Sequence, residues 1–192
     1  LSPCLLASAQ SSINLRSAAQ TLHARPRAMI NTMHTTAARP PVSAWVGLGA
    51  NLGDARASVL AAIEALGRLP RTQLLRASSL YRSAPWQAEG ADFINAVAEV
   101  HTHLSAPDLL QELQALEQAA GRARPYRNAP RTLDLDLLAY GAARIESARL
   151  TLPHPRLHER AFVLWPLAEI APERVSAAAL ERVAGQRIER LG

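Results

Sequence analysis

The segment from Pro130 to Gly141 reads Pro-Arg-Thr-Leu-Asp-Leu-Asp-Leu-Leu-Ala-Tyr-Gly and holds the residues best suited to chemistry. Asp134 and Asp136 alternate with Leu133, Leu135 and Leu137. As a β-strand this pattern sends two carboxylates to one face and three leucines to the other. Carboxylates at i and i+2 stand roughly 6 to 7 Å apart at their Cα atoms by the strand rise. That spacing suits oxygen ligands converging on one or two hard cations such as Mg²⁺. Arg131 lies just upstream, and its planar, permanently charged fork is the group that a polyphosphate beside such a cation needs. The residues alone leave a second reading open, a half-exposed strand whose two aspartates are incidental. Asp is depleted in strands, however, so two on one short strand ask for a reason.

The elements that must position this strand are legible from periodicity. Trp45 to Ala50 read as a strand, Asp54 to Leu69 as an amphipathic helix with an acidic start, and Thr72 to Arg82 as a second strand. Phe93 to His103 alternate as a third strand, and Ala106 to Ala120 carry Leu109, Leu110, Leu113 and Leu116 at helical spacing until Gly121 ends the helix. An Arg- and Pro-containing loop, 122–130, feeds the aspartate strand. A tight turn at Gly141 predicts an antiparallel return through Ile145 to Thr151. Short helices near Val163 to Ile170 and Ser176 to Ala184 complete the pattern, and this mixed order with hairpins implies an α+β domain. Gly47, Gly49 and Gly53 follow a strand and precede a helix, but the third glycine falls one residue too late for a dinucleotide-binding turn and no clean βαβ unit follows. Asn51 in this turn reads as a brace for the substrate loops.

The chain has 192 residues, enough for one domain with a tail, and 48% hydrophobic residues suffice for an ordinary core. All 21 basic residues are Arg, which excludes a Walker A lysine and any Schiff-base or general-base lysine. The net charge of +5 is concentrated in residues 1–43, which hold Arg16, Arg25, Arg27 and Arg39 and no acid. Setting those four aside leaves 17 Arg against 16 acids, so residues 44–192 are nearly neutral and offer no basic surface for nucleic acid. Cys4 is the only cysteine, which precludes an intrachain disulfide or a Cys-based zinc site and suits a reducing cytoplasm. No uninterrupted apolar run reaches the length of a membrane span. Residues 1–43 are rich in Ser, Ala, Thr and Arg without sustained periodicity, and they read as a disordered extension. Such a stretch resembles an organellar transit peptide. An over-long start, with initiation at Met29 or Met33, is the preferred reading.

Beyond the aspartate segment, the chain carries Gly-Leu-Gly-Ala-Asn-Leu-Gly at 47–53, Ser-Ser-Leu-Tyr at 78–81 and Asp-Phe-Ile-Asn-Ala-Val at 92–97. Glu117 with Gly121, Arg122 and Arg124 come next, then Leu-Thr-Leu-Pro-His at 150–154 and Phe-Val-Leu-Trp-Pro-Leu-Ala-Glu-Ile-Ala-Pro at 162–172. In this order, from residue 44 to about 175, the motifs resemble those of the 6-hydroxymethyl-7,8-dihydropterin pyrophosphokinases of folate biosynthesis, and 44–192 is taken as that domain. The resemblance implies a ferredoxin-like, mostly antiparallel sheet covered by helices. It implies an ATP-dependent transfer of pyrophosphate to the hydroxymethyl group of the pterin, with release of AMP.

Site residues follow from the same resemblance. Asp134 and Asp136 would hold two Mg²⁺; Arg122, Arg124 and Arg131 would act on the phosphates; Glu117 and His154, with Arg122 and Arg131, would lie near the ATP. Read as residues alone, Glu117 could equally be a solvated helix residue and His154, between two prolines, a turn cap. A pterin is flat and fringed with donors and acceptors. Phe93 and Phe162, the only phenylalanines, match the family's stacking positions, Asn95 its pterin-reading amide, and the stretch from Ser83 to Trp86 further backbone contacts. Departures from the family pattern are Asn128-Ala129 where Trp-Gly is common, a shorter 124–130 loop, and Tyr81-Arg82-Ser83-Ala84-Pro85 in place of Tyr-x-Thr-x-Pro. The expected partners are the two small-molecule substrates, without nucleic acid or membrane, for a monomeric cytoplasmic enzyme.

Residues 1 to about 40 cannot offset the entropy of ordering with apolar burial. Deleting them is expected to leave turnover and melting temperature nearly unchanged; a large loss of either would place the domain boundary earlier.

Overall fold

A computed structural model of the chain describes residues 40–85, 90–121 and 132–192. Its elements in chain order are β1 (Val42–Ala50), α1 (Ala55–Leu66), β2 (Thr72–Ala77), β3 (Tyr81–Ser83), β4 (Phe93–Thr102), α2 (Ala106–Ala119) and β5 (Asp134–Tyr140). Then follow β6 (Ile145–Glu146), β7 (Thr151–Leu152), α3 (Ala161–Ile170), α4 (Ala177–Arg182) and β8 (Ile188–Arg190), with 3₁₀ turns at Leu157–Glu159 and Pro172–Arg174.

The main sheet runs β5-β1-β4-β3-β8, with β2 also paired to β4, and every pairing is antiparallel. β2 and β3 lie along opposite ends of β4, so they are one bent strand, broken at Ser78–Leu80. Counted so, the order from β5 inward is 4-1-3-2, the antiparallel arrangement expected for a ferredoxin-like α+β fold. The long second strand inferred from sequence is therefore interrupted: the Ser78 amide bonds the Val97 carbonyl while the Ser78 hydroxyl accepts from the Val97 amide, and this side-chain bond replaces a rung of the ladder.

Each helix forms where its apolar stripe meets a cap. Asp54 caps α1 by accepting from the Ala57 amide, and Val59, Ala62 and Leu66 face the core. Ser105 caps α2, whose buried stripe is Ala106, Leu109, Leu113 and Glu117, and Gly121 takes a positive φ of 77° just past its end. These two helices cover the sheet face built from Ala44, Val46, Leu48, Leu135 and Leu137. The other face, with Trp45, Val97 and Leu138, is covered in part by α3 through Val163, Leu164, Leu167 and Ile170. At one end of this second face Arg174 lies 3.4 Å from the Trp45 ring centroid, and buried Glu99 accepts from Arg76 at 2.7 Å. At the other end lie the glycines and aspartates described below.

Two expectations change. Gly141 does turn the chain, with φ 53° and its amide bonded to the Ser43 carbonyl. The segment beyond it does not pair with β5; β6 and β7 pair with each other, because Ser147 closes a short turn onto Leu150 through its hydroxyl and amide. The C-terminal β8, for which the sequence carries no periodic signal, extends the sheet beside β3. Among the described residues no helix is long and apolar enough to cross a membrane.

The bend between β2 and β3 is held from α3 by Glu169. Its carboxylate accepts from the Ser79 amide and hydroxyl, from the Tyr81 hydroxyl at 2.8 Å and from Arg190 at 3.1 Å. Burial pushes the Glu169 pKa up, but these hydrogen bonds and the Arg190 charge outweigh it and hold the group below its ordinary value. Burial and the bond to Glu169 push Tyr81 up to about 12. Both bonds therefore favour ionised Glu169 with neutral Tyr81. The Glu169 contribution is complete above the ordinary carboxylate range and is lost as pH falls through the depressed value; the Tyr81 contribution is complete below its ordinary value and is lost as pH rises toward about 12. Glu169→Gln is expected to cost about 1–3 kcal/mol near neutrality. The wild-type melting advantage over this variant should shrink in acid, and a pH-independent difference would show that the carboxylate charge is not what holds the bend.

Candidate active site

Three adjacent strands build the site by register. β1 stands between β5 and β4, with Gly49 opposite both Asp134 and Asn95, and Gly47 opposite both Asp136 and Val97. Cross-strand partners share a face, so Asp134, Gly49 and Asn95 form one row and Asp136, Gly47 and Val97 the next. A Cβ on Gly49 would stand 3.3 Å from the Asn95 side-chain oxygen and 3.9 Å from the Phe93 ring. Between Asp134 and Asn95 the floor is the bare backbone of Gly49, whereas Gly47 in the next row is covered by the Leu138 side chain.

On the β4 side, Asn95 is buried and its amide nitrogen donates to the Ser83 hydroxyl at 3.0 Å. Tyr81 and Ser83 of β3 stand opposite Asn95 and Phe93. Ser83 also lines a cavity of about 220 Å³ together with Ala84, Pro85, Ala161, Phe162 and residues 185–187. Asn51 closes the adjoining end by donating to the Ala91 carbonyl at 3.4 Å, the bracing role expected of it.

On the β5 side, His154 is tied to the aspartate strand through its amide, which donates to the Leu138 carbonyl at 2.8 Å. The His154 Nδ1 accepts from the Arg156 amide, so the neutral ring carries its proton on Nε2. Burial lowers the His154 pKa, against an opposing pull from Asp136. Glu117 is 2% exposed and its carboxylate accepts from the Leu135 amide at 2.8 Å. It is thus no solvated helix residue: from the opposite side of the sheet it fixes the backbone between the two aspartates.

Arg160, absent from the sequence-derived set, joins the two halves. Its guanidinium is 3.6 Å from Asp136 and 5.5 Å from the Phe162 ring centroid, with a side chain only 16% exposed. A charged residue so little exposed at the start of an apolar helix is rare without a partner. Its position immediately before the apolar run 161–168 was the available signal.

The pattern of 7,8-dihydro-6-hydroxymethylpterin-pyrophosphokinase (HPPK) matches residues 45–172. The chain belongs to this family. It is 46% identical over 130 residues to a 2-amino-4-hydroxy-6-hydroxymethyldihydropteridine pyrophosphokinase of Pseudomonas aeruginosa, covering 67% of this chain and 80% of the relative. To the Synechocystis protein of the same name it is 47% identical over 132 residues, covering 69% and 68%. To that of Methylorubrum extorquens it is 41% identical over 150 residues, covering 78% and 95%. Among solved structures, an HPPK-DHPS in complex with substrates superposes with a TM-score of 0.57 at 12% identity, over 74% of this chain and 42% of that one. A Plasmodium falciparum HPPK-DHPS with pteroate gives 0.56 at 12%, over 74% and 43%. At that identity the likeness concerns the fold alone, and this chain spans less than half of either.

As an HPPK the chain is an enzyme that transfers pyrophosphate. Of the residues expected at its site, Asp134, Asp136, Phe93 and Asn95 share one sheet face, Ser83 joins them through Asn95, and Phe162 lines a cavity with Ser83. Arg122, Arg124, Arg131 and Trp86 lie outside the described residues. Among the described residues no three acids, histidines or cysteines converge as a complete metal cage. Two same-face carboxylates are nevertheless the donor set that suits Mg²⁺, which takes one or two carboxylates and completes its shell with water and substrate phosphate.

Gly49→Ala tests the bare floor. The added methyl must push the Asn95 oxygen by a few tenths of an ångström. Pterin affinity is expected to fall about tenfold, the effect of disturbing one hydrogen-bonding group. ATP affinity and melting temperature should change little. Unchanged pterin binding would mean that Asn95 does not read the ligand.

Proposed function

We propose that this chain transfers pyrophosphate from ATP to the hydroxymethyl oxygen of 6-hydroxymethyl-7,8-dihydropterin, releasing AMP, and that it does so as a cytoplasmic monomer with two Mg²⁺. The observation that supports this reading is the row Asp134–Gly49–Asn95, in which a strand carboxylate and a buried amide flank the bare Gly49 backbone, with the Asp136 carboxylate in the next row on the same face. Asn95 offers an acceptor and a donor to the pterin edge, while Phe93 and Phe162 stack on its faces, each such contact adding about 0.5–1.5 kcal/mol beyond area burial. Ser83 orients the Asn95 amide, and Trp86 is assigned a further contact to the pterin.

Asp134 and Asp136 would hold the Mg²⁺, which when bound supplies positive charge to the triphosphate. Arg122, Arg124 and Arg131 bind its phosphate oxygens, and the neutral His154 offers its Nε2 proton to one more. Glu117 acts on the nucleotide side by bracing β5 at Leu135. Arg160, beside both Asp136 and Phe162, places a fixed positive charge where polyanion and heterocycle meet. The hydroxymethyl oxygen bonds the β-phosphorus, the bond from that phosphorus to the α–β bridging oxygen breaks, AMP departs and the hydroxyl proton is released. Such a transfer leaves little covalent work to the protein, so positioning and electrostatics suffice and no lysine is needed.

Product analysis after incubation with ATP, Mg²⁺ and the hydroxymethylpterin is the direct test. AMP with a pyrophosphorylated pterin is expected; inorganic pyrophosphate would indicate a nucleotidyltransferase, and no turnover a binding module. Asp134→Asn and Asp136→Asn keep shape but remove a charge from the cation site, and each is expected to lower turnover by about 10² or more. In chelator their melting temperatures should stay level or rise, because like charges on one strand face repel. Near-normal turnover in either variant at ordinary Mg²⁺ would sink the assignment.

A further inference from the structure

The segment 185–187 forms a wall of the cavity that also holds Ser83 and Phe162, yet it lies beyond the part of the chain, 45–172, that carries the family pattern. Its side chains do more than fill space. Gln186 makes two hydrogen bonds that straddle Arg160: its oxygen accepts from the Ala161 amide at 2.9 Å and its nitrogen donates to the Glu159 carbonyl at 2.8 Å. An amide paired in this way to the backbone on both sides of one residue behaves as a rung of a ladder. It fixes the start of α3, where Arg160 reaches Asp136 and Phe162 begins its ring wall. The next residue, Arg187, bonds Asp92 at 2.6 Å, and Asp92 immediately precedes Phe93. Ile188, one further on, pairs in register with Ser83.

Three consecutive residues thus grip the three segments that bear Phe162, Phe93 and Ser83. We propose that Gln186 and Arg187 are positioning residues for the heterocyclic substrate: a two-point clamp from the C-terminal segment that sets the gap between the segments carrying Phe162 and Phe93. The inference rests on the proposed pterin reading of those rings. It predicts that loosening the clamp widens the flat slot and weakens the heterocycle, while the nucleotide side, built on β5, keeps its affinity. The Arg187–Asp92 pair is at the rim and partly exposed, so it is the weaker point of the two.

Calorimetric titration of wild type, Gln186→Ala, Gln186→Glu and Arg187→Asp, with the double exchange Asp92→Arg/Arg187→Asp, decides the matter. The ligands are 6-hydroxymethyl-7,8-dihydropterin and a non-hydrolysable ATP analogue, with melting measured in parallel. Gln186→Ala is expected to raise the pterin Kd about tenfold, as for the loss of a pair of hydrogen bonds, and to leave the analogue Kd within about twofold. Gln186→Glu keeps the acceptor for Ala161 but sets a charged oxygen against the Glu159 carbonyl, so it should weaken pterin at least as much as Gln186→Ala. Arg187→Asp should weaken pterin a few-fold, and the double exchange should restore it. A pterin Kd unmoved in Gln186→Ala, or equal losses of both ligands with a lowered melting temperature, would overturn the clamp. Absence of pterin binding by the wild type would instead overturn the functional reading, and the clamp with it.

Discussion

Everything at the site depends on β1 keeping its register on both sides at once, with Gly49 between Asp134 and Asn95 and Gly47 between Asp136 and Val97. Side chains alternate along a strand, so a slip of one residue on either seam would turn the carboxylates or the amide to the opposite face, into the core built on Val46 and Leu48. Glycine in a strand costs stability and weakens exactly the packing that fixes register. The neighbours restore it. Ala44, Val46, Leu48 and Ala50 are almost wholly buried between the glycines and beyond them, and the shift in pairing near Trp45 and Val46 lets Leu138 fill the face beside Gly47.

Two carboxylates hold the strands that flank this row, Glu117 in the interior and Glu169 at the surface. Glu117 reaches through from α2 to the Leu135 amide, and Glu169 reaches from α3 to Ser79 and Tyr81. A buried ionised group such as Glu117 is costly unless its lone pairs are taken up. Both are used as anchors for backbone or hydroxyl donors, one beneath the aspartates and one behind the bend that leads to Ser83. The sheet is thereby tied from each face at the points where its own ladder is interrupted or at an edge.

The strand carrying the aspartates and the helices with leucine stripes were legible because alternation and helical spacing report which face is buried; Phe93, Asn95 and Phe162 were singled out by the family resemblance alone. Glu117 could have been read too: Leu109, Leu113 and Glu117 recur at four-residue spacing on one face of α2, so the acid continues a buried stripe. Arg160 was harder to see, since its partners Asp136 and Phe162 come together only when α3 is laid over β4. β8 was illegible for a related reason. A three-residue edge strand has too little alternation to signal itself, and its pairing with β3 is fixed by the turn after α4 and by Arg190 on Glu169. Likewise the Ser78 bonds that break the second strand in two pass between residues far apart in sequence.

The separation of functions across the sheet suggests why so little reactive chemistry is needed. A polyanion and a neutral heterocycle ask for opposite surroundings, the one for cations and hard oxygen ligands, the other for rings and a single well-placed amide. On the proposed reading the polyanion lies on β5 and the heterocycle on β4, with the bare backbone of Gly49 between them, so the reacting atoms can meet without forcing either ligand into the other's environment. Arg160 spans the gap, near the Asp136 carboxylate on one side and the Phe162 ring on the other. Holding two reactants in a near-attack geometry can supply roughly 7–11 kcal/mol of the barrier. The precision of the strand spacing, and of whatever fixes the rings about it, then matters more to rate than the identity of any one proton carrier.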